Sequence, residues 1–375
     1  MNVRNLFIII FAAIVSVCAL YAPQPVLPII AKTFNIEKTE ASLLMTLTLI
    51  PFFITPVFYG FLLNILPSRV ILTVCMLLLF LTELFFYFSS SFLSLLIIRL
   101  LQGFLIPAVL TSAITFISKN YQHALQRTLS IYISSTLLGG FLGRFLSGLL
   151  AGYLNYKIFF LILAFTSLVS FFFLTFLKEG KIIRDDKVSF FKLKDLKELN
   201  VKSQFIIPFV IFFVFTAILN YIPFRMFELK GNQASFLVSF LYVGYLAGII
   251  SVLSSTKLIR HFGSEKIVII YVLIVYLFSC FLLLFSNTLL IFSAIFMICG
   301  CMFLTHAAAS GYINRASNNK GLANGIYVSV YYAGAAFGAQ LPGLIYARFG
   351  WNLFLIFNIT FLIILLMLTS FMKFD

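Results

Sequence analysis

Long apolar segments follow one another along the whole chain and are separated by short polar connections. A transmembrane helix needs about 20 consecutive, mostly apolar residues. By that measure the pattern predicts twelve membrane-spanning helices, over residues 5–31, 41–63, 70–89, 91–117, 128–153, 157–177, 204–225, 235–256, 267–286, 288–313, 322–347 and 352–372. We therefore expect an all-α integral membrane protein.

The longest polar stretch, residues 178–203, has six predicted spans on each side. It divides the chain into an N-terminal half, 1–177, a connecting segment, and a C-terminal half, 204–375. Apolar residues recur at every third position of the connection, among lysines: Phe190, Leu193, Leu196 and Leu199. A helix lying on the membrane surface has this pattern. A solvated linker with scattered apolar residues explains it equally well.

The charged residues fit a membrane protein and predict its topology. Only 10% of residues are charged, against about 25% in a soluble domain, and Lys and Arg outnumber Asp and Glu by 26 to 11. If the amino terminus is cytoplasmic, 18 of the basic residues lie in cytoplasmic connections, 6 lie on the other side and 2 lie within spans. The positive-inside rule then places both termini in the cytoplasm of a multi-pass inner-membrane protein. Outside the apolar segments no basic, aromatic-interleaved patch suggests a nucleic-acid partner.

The two halves are related by an internal repeat. When residues 131–160 are shifted by 195 positions, nine of thirty residues are identical, and three of the identities are glycines. Six spans duplicated in parallel orientation predict two pseudo-symmetric halves with a substrate site between them. The repeat therefore favours a transporter.

Glycines four residues apart mark places where two helices can approach closely. Gly139 and Gly143 in the fifth span correspond to Gly334 and Gly338 in the eleventh. Glycines on one helix face let a neighbouring backbone come near. We expect these helices to open and close one end of a central cavity; packing without movement is the alternative.

Motifs in two spans carry a resemblance to a known family. The fourth span contains Arg99, Gln102 and Gly103 in the spacing R-x-x-Q-G, and it resembles the major facilitator superfamily, which associates this motif with proton coupling. The similarity extends over essentially the whole chain. It implies a major facilitator fold, transport of a small-molecule substrate by alternating access, a monomer in membrane lipid, and no cofactor or metal.

A narrower resemblance points to export. Gly139, Gly140, Gly143 and Arg144 look like the fifth-span signature of the superfamily's exporter branches. Two further segments, 306–312 and 331–334, are similar to bacterial inner-membrane efflux proteins near the drug:proton antiporter-1 family. This resemblance favours proton-coupled efflux, with a proton-coupled uptake symporter as the alternative. A membrane enzyme is a distant alternative, because catalytic carboxylate pairs, metal-binding clusters and phosphate-binding loops are absent from the sequence. A channel is equally distant, because it would not require the parallel repeat or the R-x-x-Q-G element.

The connection after the second span departs from the family pattern. Gly60 and Arg69 match it, but Asn64 stands where the family has Asp. An Asn cannot form the charge-assisted bridge that would lock the cytoplasmic gate. The corresponding connection of the second half contains Arg260 and Gly263 and keeps more of the family's loop motif.

Three charged residues lie deep within predicted spans: Glu83, Arg99 and Arg144. Glu83 and Arg99 each lie eight residues from the turn near Ser91, which places both about 12 Å below it, and Arg144 lies at a similar depth, about 15 Å. Charges at that depth need partners or a function. We hypothesise that Glu83 exchanges partners between the two arginines and takes up the proton, because a carboxylate stays ionised beside an arginine and is protonated in apolar surroundings. A static ion pair is the alternative.

Other polar residues within the spans are weaker candidates. His306 can titrate near neutral pH, but a lone histidine among Ala and Ser is more often a hydrogen-bonded packing residue. Five residues on spans that line the cavity in the family are candidate substrate contacts: Tyr21, Gln24, Asn220, Tyr331 and Tyr332. Their aromatic and weakly polar character favours an amphipathic neutral or anionic solute over a dication.

Overall fold

The structure is a computed structural model that describes residues 3–178 and 201–374. The surface helix expected within 178–203 falls almost entirely outside the described residues.

Twelve helices of membrane-spanning length form the described part of the chain, and no strand occurs there. They are α1 (Val3–Phe34), α2 (Lys38–Ile65), α3 (Ser68–Phe88), α4 (Phe92–Asn120), α5 (Gln122–Tyr153), α6 (Ile158–Thr175), α7 (Ser203–Lys230), α8 (Ala234–Phe262), α9 (Glu265–Leu282), α10 (Thr288–Ala316), α11 (320–349) and α12 (351–371). Helix α2 bends by 58° between Thr55 and Phe58. Each predicted span corresponds to one helix, so the predicted fold class is confirmed.

Helices α11 and α12 are separated by a sharp reversal at Gly350. Its φ of +81° lies in the region that glycine adopts without steric cost. The rings of Tyr346 and Phe354 lie 5.5 Å apart, whereas eight residues of straight helix would separate them by about 12 Å. The chain therefore folds back and crosses the membrane twice.

Local sequence signals begin several helices. Ser264, Asn287 and Asn319 precede α9, α10 and α11, and each side-chain oxygen accepts a hydrogen bond from a backbone N–H two or three residues further on, at 3.3, 2.9 and 3.1 Å. Such N-caps satisfy donors that have no partner inside the helix.

Helix α1 is interrupted by prolines. Its first regular segment ends at Tyr21, a short 3₁₀ turn spans Gln24–Val26, and a second segment, Leu27–Phe34, ends at Asn35 with φ +50°. Pro23 has no N–H, so it cannot donate to the carbonyl of Ala19 four residues earlier. The break therefore leaves backbone acceptors inside the protein.

The chain divides into two compact units. The first contains α1, α3–α6 and α2 from Leu47 onward, and the second contains Glu37–Thr46 and helices α7–α12. Both units expose large apolar side chains such as Phe85, Leu253 and Phe371, as surfaces in contact with lipid do. All five cysteines are buried and free.

The paired glycines place helices in backbone contact within each unit. A Cβ on Gly139 would lie 2.8 Å from the Ile14 carbonyl oxygen of α1, and one on Gly143 would lie 2.6 Å from that of Cys18. In the second unit, Gly334 and Gly338 of α11 approach the carbonyl oxygens of two residues of α7, Phe209 and Phe213. These partners are also related by 195 positions, so the sequence repeat extends to the contacts of both helix pairs.

Candidate functional site: buried charges around the break in α1

Arg99 is completely buried in α4 and binds the break in α1. Its guanidinium donates hydrogen bonds to the carbonyl oxygens of Ala19 at 3.0 Å and Leu20 at 2.7 Å. The Ala19 oxygen is the acceptor that Pro23 leaves without a helical donor. These carbonyls also form the negative end of the first helical segment, which favours a cation. The break in α1 thus supplies part of the counter-charge of Arg99.

Gln102 connects Arg99 to Glu83. Its side-chain oxygen accepts a hydrogen bond from Arg99 at 2.6 Å, and its amide nitrogen donates to Glu83 Oε1 at 3.0 Å and to Thr82 Oγ1 at 3.4 Å. Glu83 is completely buried in α3. Its other oxygen, Oε2, has no hydrogen-bond partner among the described residues. The carboxyl group is therefore half satisfied in a region that has no bulk water.

The three residues of the R-x-x-Q-G motif contact three different helices. Arg99 binds α1 and Gln102 binds α3, while a Cβ on Gly103 would lie 2.7 Å from the Thr48 carbonyl oxygen of α2. The hydroxyl of Thr48 donates to the Arg99 carbonyl at 3.1 Å. The motif therefore fixes α4 against its neighbours and joins two buried charges at the same time.

Arg144 binds the opposite end of the break. Only 2% exposed, it lies in α5, with its guanidinium 3.6 Å from the centre of the Tyr21 ring, a cation–π distance. Its Nε donates to the side-chain oxygen of Gln24, and its Nη1 donates to the Gly140 carbonyl at 2.8 Å. Tyr21 and Gln24, predicted as substrate contacts, are thus partners of Arg144 in this structure.

The two buried arginines therefore bind one short segment, residues 19–24. Arg99 binds the carbonyls of Ala19 and Leu20, and Arg144 contacts the side chains of Tyr21 and Gln24. Movement of this segment would change the surroundings of both arginines, and through Gln102 it would reach Glu83. The shift of 195 positions places Ala339 where the first half has Arg144, so the second unit does not repeat the charge.

The second unit contains an aromatic cluster around His306. The Tyr327 hydroxyl lies 2.7 Å from His306 Nδ1, and the rings of Phe212 and Tyr331 lie 5.4 and 5.6 Å from the His306 ring. The rings of Tyr331 and Tyr332 also pack against each other, with ring centres 4.2 Å apart and a tilt of 37°. This group spans α7, α10 and α11, and it holds His306 in a hydrogen bond, the arrangement expected for a packing residue.

Asn220 is completely buried in the second unit. Its amide donates to Ser42 Oγ at 3.0 Å and to the Ala339 carbonyl at 3.3 Å, and Ser42 donates to the same carbonyl at 2.8 Å. These contacts connect α7, α11 and the first turns of α2. These hydrogen bonds hold the three helices together and do not test whether Asn220 also contacts the substrate, which stays a prediction.

The predicted gate residues lie at helix ends. Asn64 donates to the Gly60 carbonyl in the last turns of α2 at 3.3 Å, and Arg69 donates to the Thr175 carbonyl of α6. Gly263, with φ +79°, ends α8 just after the exposed Arg260. The role of these residues in a gate stays a prediction.

Sequence reasoning missed the two carbonyl acceptors of Arg99 and the hydrogen bond from Gln102 to Thr82. Pro23 signals a free carbonyl at Ala19, but only the packing of α4 against α1 shows which donor reaches it. A second missed group is the ion pair of Lys38 with Glu228 in the second unit, where Lys38 also lies 4.0 Å from the Tyr346 ring centre.

Among the described residues no cluster of His, Cys, Asp or Glu could hold a metal ion.

The architecture is that of a multi-pass membrane transporter, and comparison with known proteins gives the family. The model of the Major Facilitator Superfamily matches residues 9–339. The protein belongs to this superfamily of secondary transporters.

Relatives cover nearly the whole chain. An uncharacterized transporter of Buchnera aphidicola subsp. Acyrthosiphon pisum (strain APS) is 30% identical over 351 residues, 92% of this chain and 85% of the relative. The inner membrane transport protein YnfM of Escherichia coli (strain K12) is 28% identical over 349 residues, 91% and 84% of the two chains. The crystal structure of a mutant of the nucleoside transporter NupG shares the fold, with a TM-score of 0.82 at 12% identity over 98% of this chain and 99% of that one.

Proposed function

We propose that the protein exports a small solute across a bacterial inner membrane in exchange for protons. The observation that carries the proton coupling is Glu83, a completely buried carboxyl with one oxygen hydrogen-bonded and the other without a partner among the described residues. A buried, half-satisfied carboxyl is costly unless its charge can be changed or compensated. Binding and release of a proton at Oε2 would use this property.

A chain of side-chain contacts would connect the Glu83 carboxyl to a solute that binds near residues 19–24. Residues 19–24 of α1 bind Arg99 and Arg144, and Gln102 relays the position of Arg99 to Glu83. A solute that displaces Tyr21 or Gln24 would therefore alter the electrostatic environment of Glu83. Protonation and the shape of α1 would then depend on each other, which coupled transport requires.

Export is favoured by the exporter-like glycine pattern of α5, which binds α1 beside the arginines. A symporter that takes up its solute with protons is the second candidate, since the Glu83 network serves either direction. In both candidates protons move down their gradient, so the candidates differ in the side of the membrane from which the solute is carried.

Everted membrane vesicles test the direction. Vesicles from cells that produce the protein are energised until their interior is acidic, and amphipathic neutral and anionic solutes are added one at a time while a fluorescent weak base reports the interior pH. An exporter should take up solute into the everted vesicle and release protons, so fluorescence should recover. A symporter should give no recovery when solute is added outside, and should release protons only from vesicles preloaded with solute. Absence of any response across the panel, with protein present, would contradict proton coupling.

The proposed topology gives a prediction that needs no substrate. Alkaline phosphatase, active only outside the cytoplasm, is fused after Gly231 or after Gly263, which follow α7 and α8. With both termini in the cytoplasm, the first fusion should be active and the second inactive, because an odd number of helices precedes the first fusion and an even number precedes the second. The reverse pattern would overturn the proposed orientation.

A further inference from the structure

An apolar groove of about 350 Å³ lies among α8, α9 and α10 in the second unit. The space arises because three residues along it are small: Ala247, Ser251 and Gly300. A Cβ on Gly300 would lie 3.2 Å from Ser251 Oγ and 3.7 Å from Ala247 Cβ, so α8 and α10 come close behind the groove. Its lining residues differ from those of the buried-charge network and of the aromatic cluster around His306.

The groove opens toward the outside of the unit. Its rim includes Tyr271 and Phe296, which are 54% and 47% exposed. Phe262 and Tyr271 join α8 to α9, with ring centres 5.2 Å apart. Such exposed rings on a membrane-spanning helix bundle face lipid, so the space is accessible from the hydrocarbon phase.

The length of the groove fits one lipid leaflet. Its lining along α8 runs from Ala247 to Phe262, a distance of about 22 Å. One leaflet contributes about 15 Å of hydrocarbon. The groove begins at the end of α8 and is therefore long enough to hold the hydrocarbon part of an acyl chain from the adjacent leaflet. A polar solute would find few hydrogen-bonding groups there, because the lining is almost wholly apolar.

Basic residues lie on the turns of α8 and α9 that adjoin one end of the groove. Lys257 and Arg260 are exposed on the last turns of α8, next to Phe262. Lys266 lies in the first turn of α9 and donates to the carbonyls of Ser370 and Met372 at 2.8 and 2.7 Å. The nearby acid, Glu265, is paired with Arg315 and therefore does not cancel the charge of the other basic residues. Basic residues beside a membrane attract anionic headgroups.

We propose that this groove binds an anionic phospholipid, with an acyl chain between α8, α9 and α10 and the headgroup at the positively charged end of α8. The apolar length selects a lipid chain, and the charge at its end selects an anionic headgroup over a zwitterionic one. The second unit thus carries a lipid site that is independent of the transported solute.

Photoaffinity labelling tests the site. The full-length protein is purified in detergent and incubated with phosphatidylglycerol that carries a diazirine on one acyl chain, and labelled peptides are mapped by mass spectrometry. We expect labels on peptides of α8, α9 and α10. Ser251→Phe should fill the groove and reduce this labelling, whereas Leu253→Phe, on the 73% exposed outer face of the same helix, should leave it unchanged.

Variants that neutralise basic residues test the preference for an anionic headgroup. The double variant Lys257→Gln/Arg260→Gln should lower labelling about thirtyfold, because both basic residues contribute to the attraction of the headgroup. Lys230→Gln/Arg348→Gln, at the opposite end of the same unit, should not. Both charge variants alter exposed residues, so they serve even if Ser251→Phe fails to fold. Equal labelling by the matching phosphatidylcholine probe, labelling elsewhere in the chain, or competition by a transported solute would overturn the proposal.

Discussion

Replacement of Glu83 by glutamine is expected to reduce proton-driven transport to the level of protein-free vesicles while leaving solute exchange intact. The amide oxygen of glutamine can still accept the hydrogen bond of Gln102, so the contacts of α3 and α4 persist. The amide cannot bind and release a proton in the physiological range. The measurement compares solute accumulation driven by a pH gradient with counterflow, which needs solute on both sides and no gradient.

The same variant separates coupling from a static ion pair. If Glu83 only neutralises Arg99, its loss removes the carboxylate charge that offsets this arginine through Gln102. Breaking a buried charge pair costs about 3–5 kcal/mol, so the unfolding temperature in detergent should fall sharply while coupling persists. If Glu83 carries the proton, the unfolding temperature should change little and coupling should disappear. Glu228→Gln is the matched control: Glu228 is 37% exposed at the end of α7, and its replacement should leave coupling unchanged. Retention of gradient-driven transport in Glu83→Gln would end the coupling hypothesis.

Substitution of Gly338 by leucine is expected to cause the largest loss of stability. A Cβ at this position would overlap the carbonyl oxygen of Phe213, a backbone atom that no rotamer change can move. Overpacking of a core usually costs about 1–3 kcal/mol, and a clash with backbone should reach or exceed the upper end. Fluorescence-detected gel filtration of a fusion protein should show loss of the monodisperse peak, and any remaining protein should unfold at a lower temperature.

A glycine with open surroundings gives the control. A Cβ on Gly311 of α10 would have no neighbouring atom within 4 Å, so Gly311→Leu should retain the wild-type peak. Because the contact of Gly143 with Cys18 corresponds to that of Gly338 with Phe213, Gly143→Leu should resemble Gly338→Leu. If Gly338→Leu were as stable as Gly311→Leu, close packing of α7 and α11 would be refuted.

The helices and their ends were predictable because each depends on neighbours in sequence. An apolar run of membrane length must form a helix, since lipid offers its backbone no hydrogen bonds. Gly350 allows the reversal between α11 and α12, and Pro23 removes a backbone donor at the place where α1 breaks. The similar depths of Glu83 and Arg99 also follow from counting residues from the turn between α3 and α4.

The partners of the buried side chains were not predictable in the same way. Tyr21 and Gln24 bind Arg144, and Asn220 binds Ser42 in α2, 178 residues earlier. Such pairs depend on how each helix is rotated about its axis, and a span that is apolar on nearly every side gives little periodic signal for that rotation.

The sequence by itself determined that this protein is a twelve-helix membrane transporter with duplicated halves and three deep charges, because hydropathy, chain length and repeated glycines express local constraints. Only the tertiary structure decided that Gln102 joins Arg99 to Glu83 and that two arginines bind the break in α1. A hydrogen bond between residues about 80 positions apart forms only once helix packing has fixed the distance and direction between its donor and acceptor.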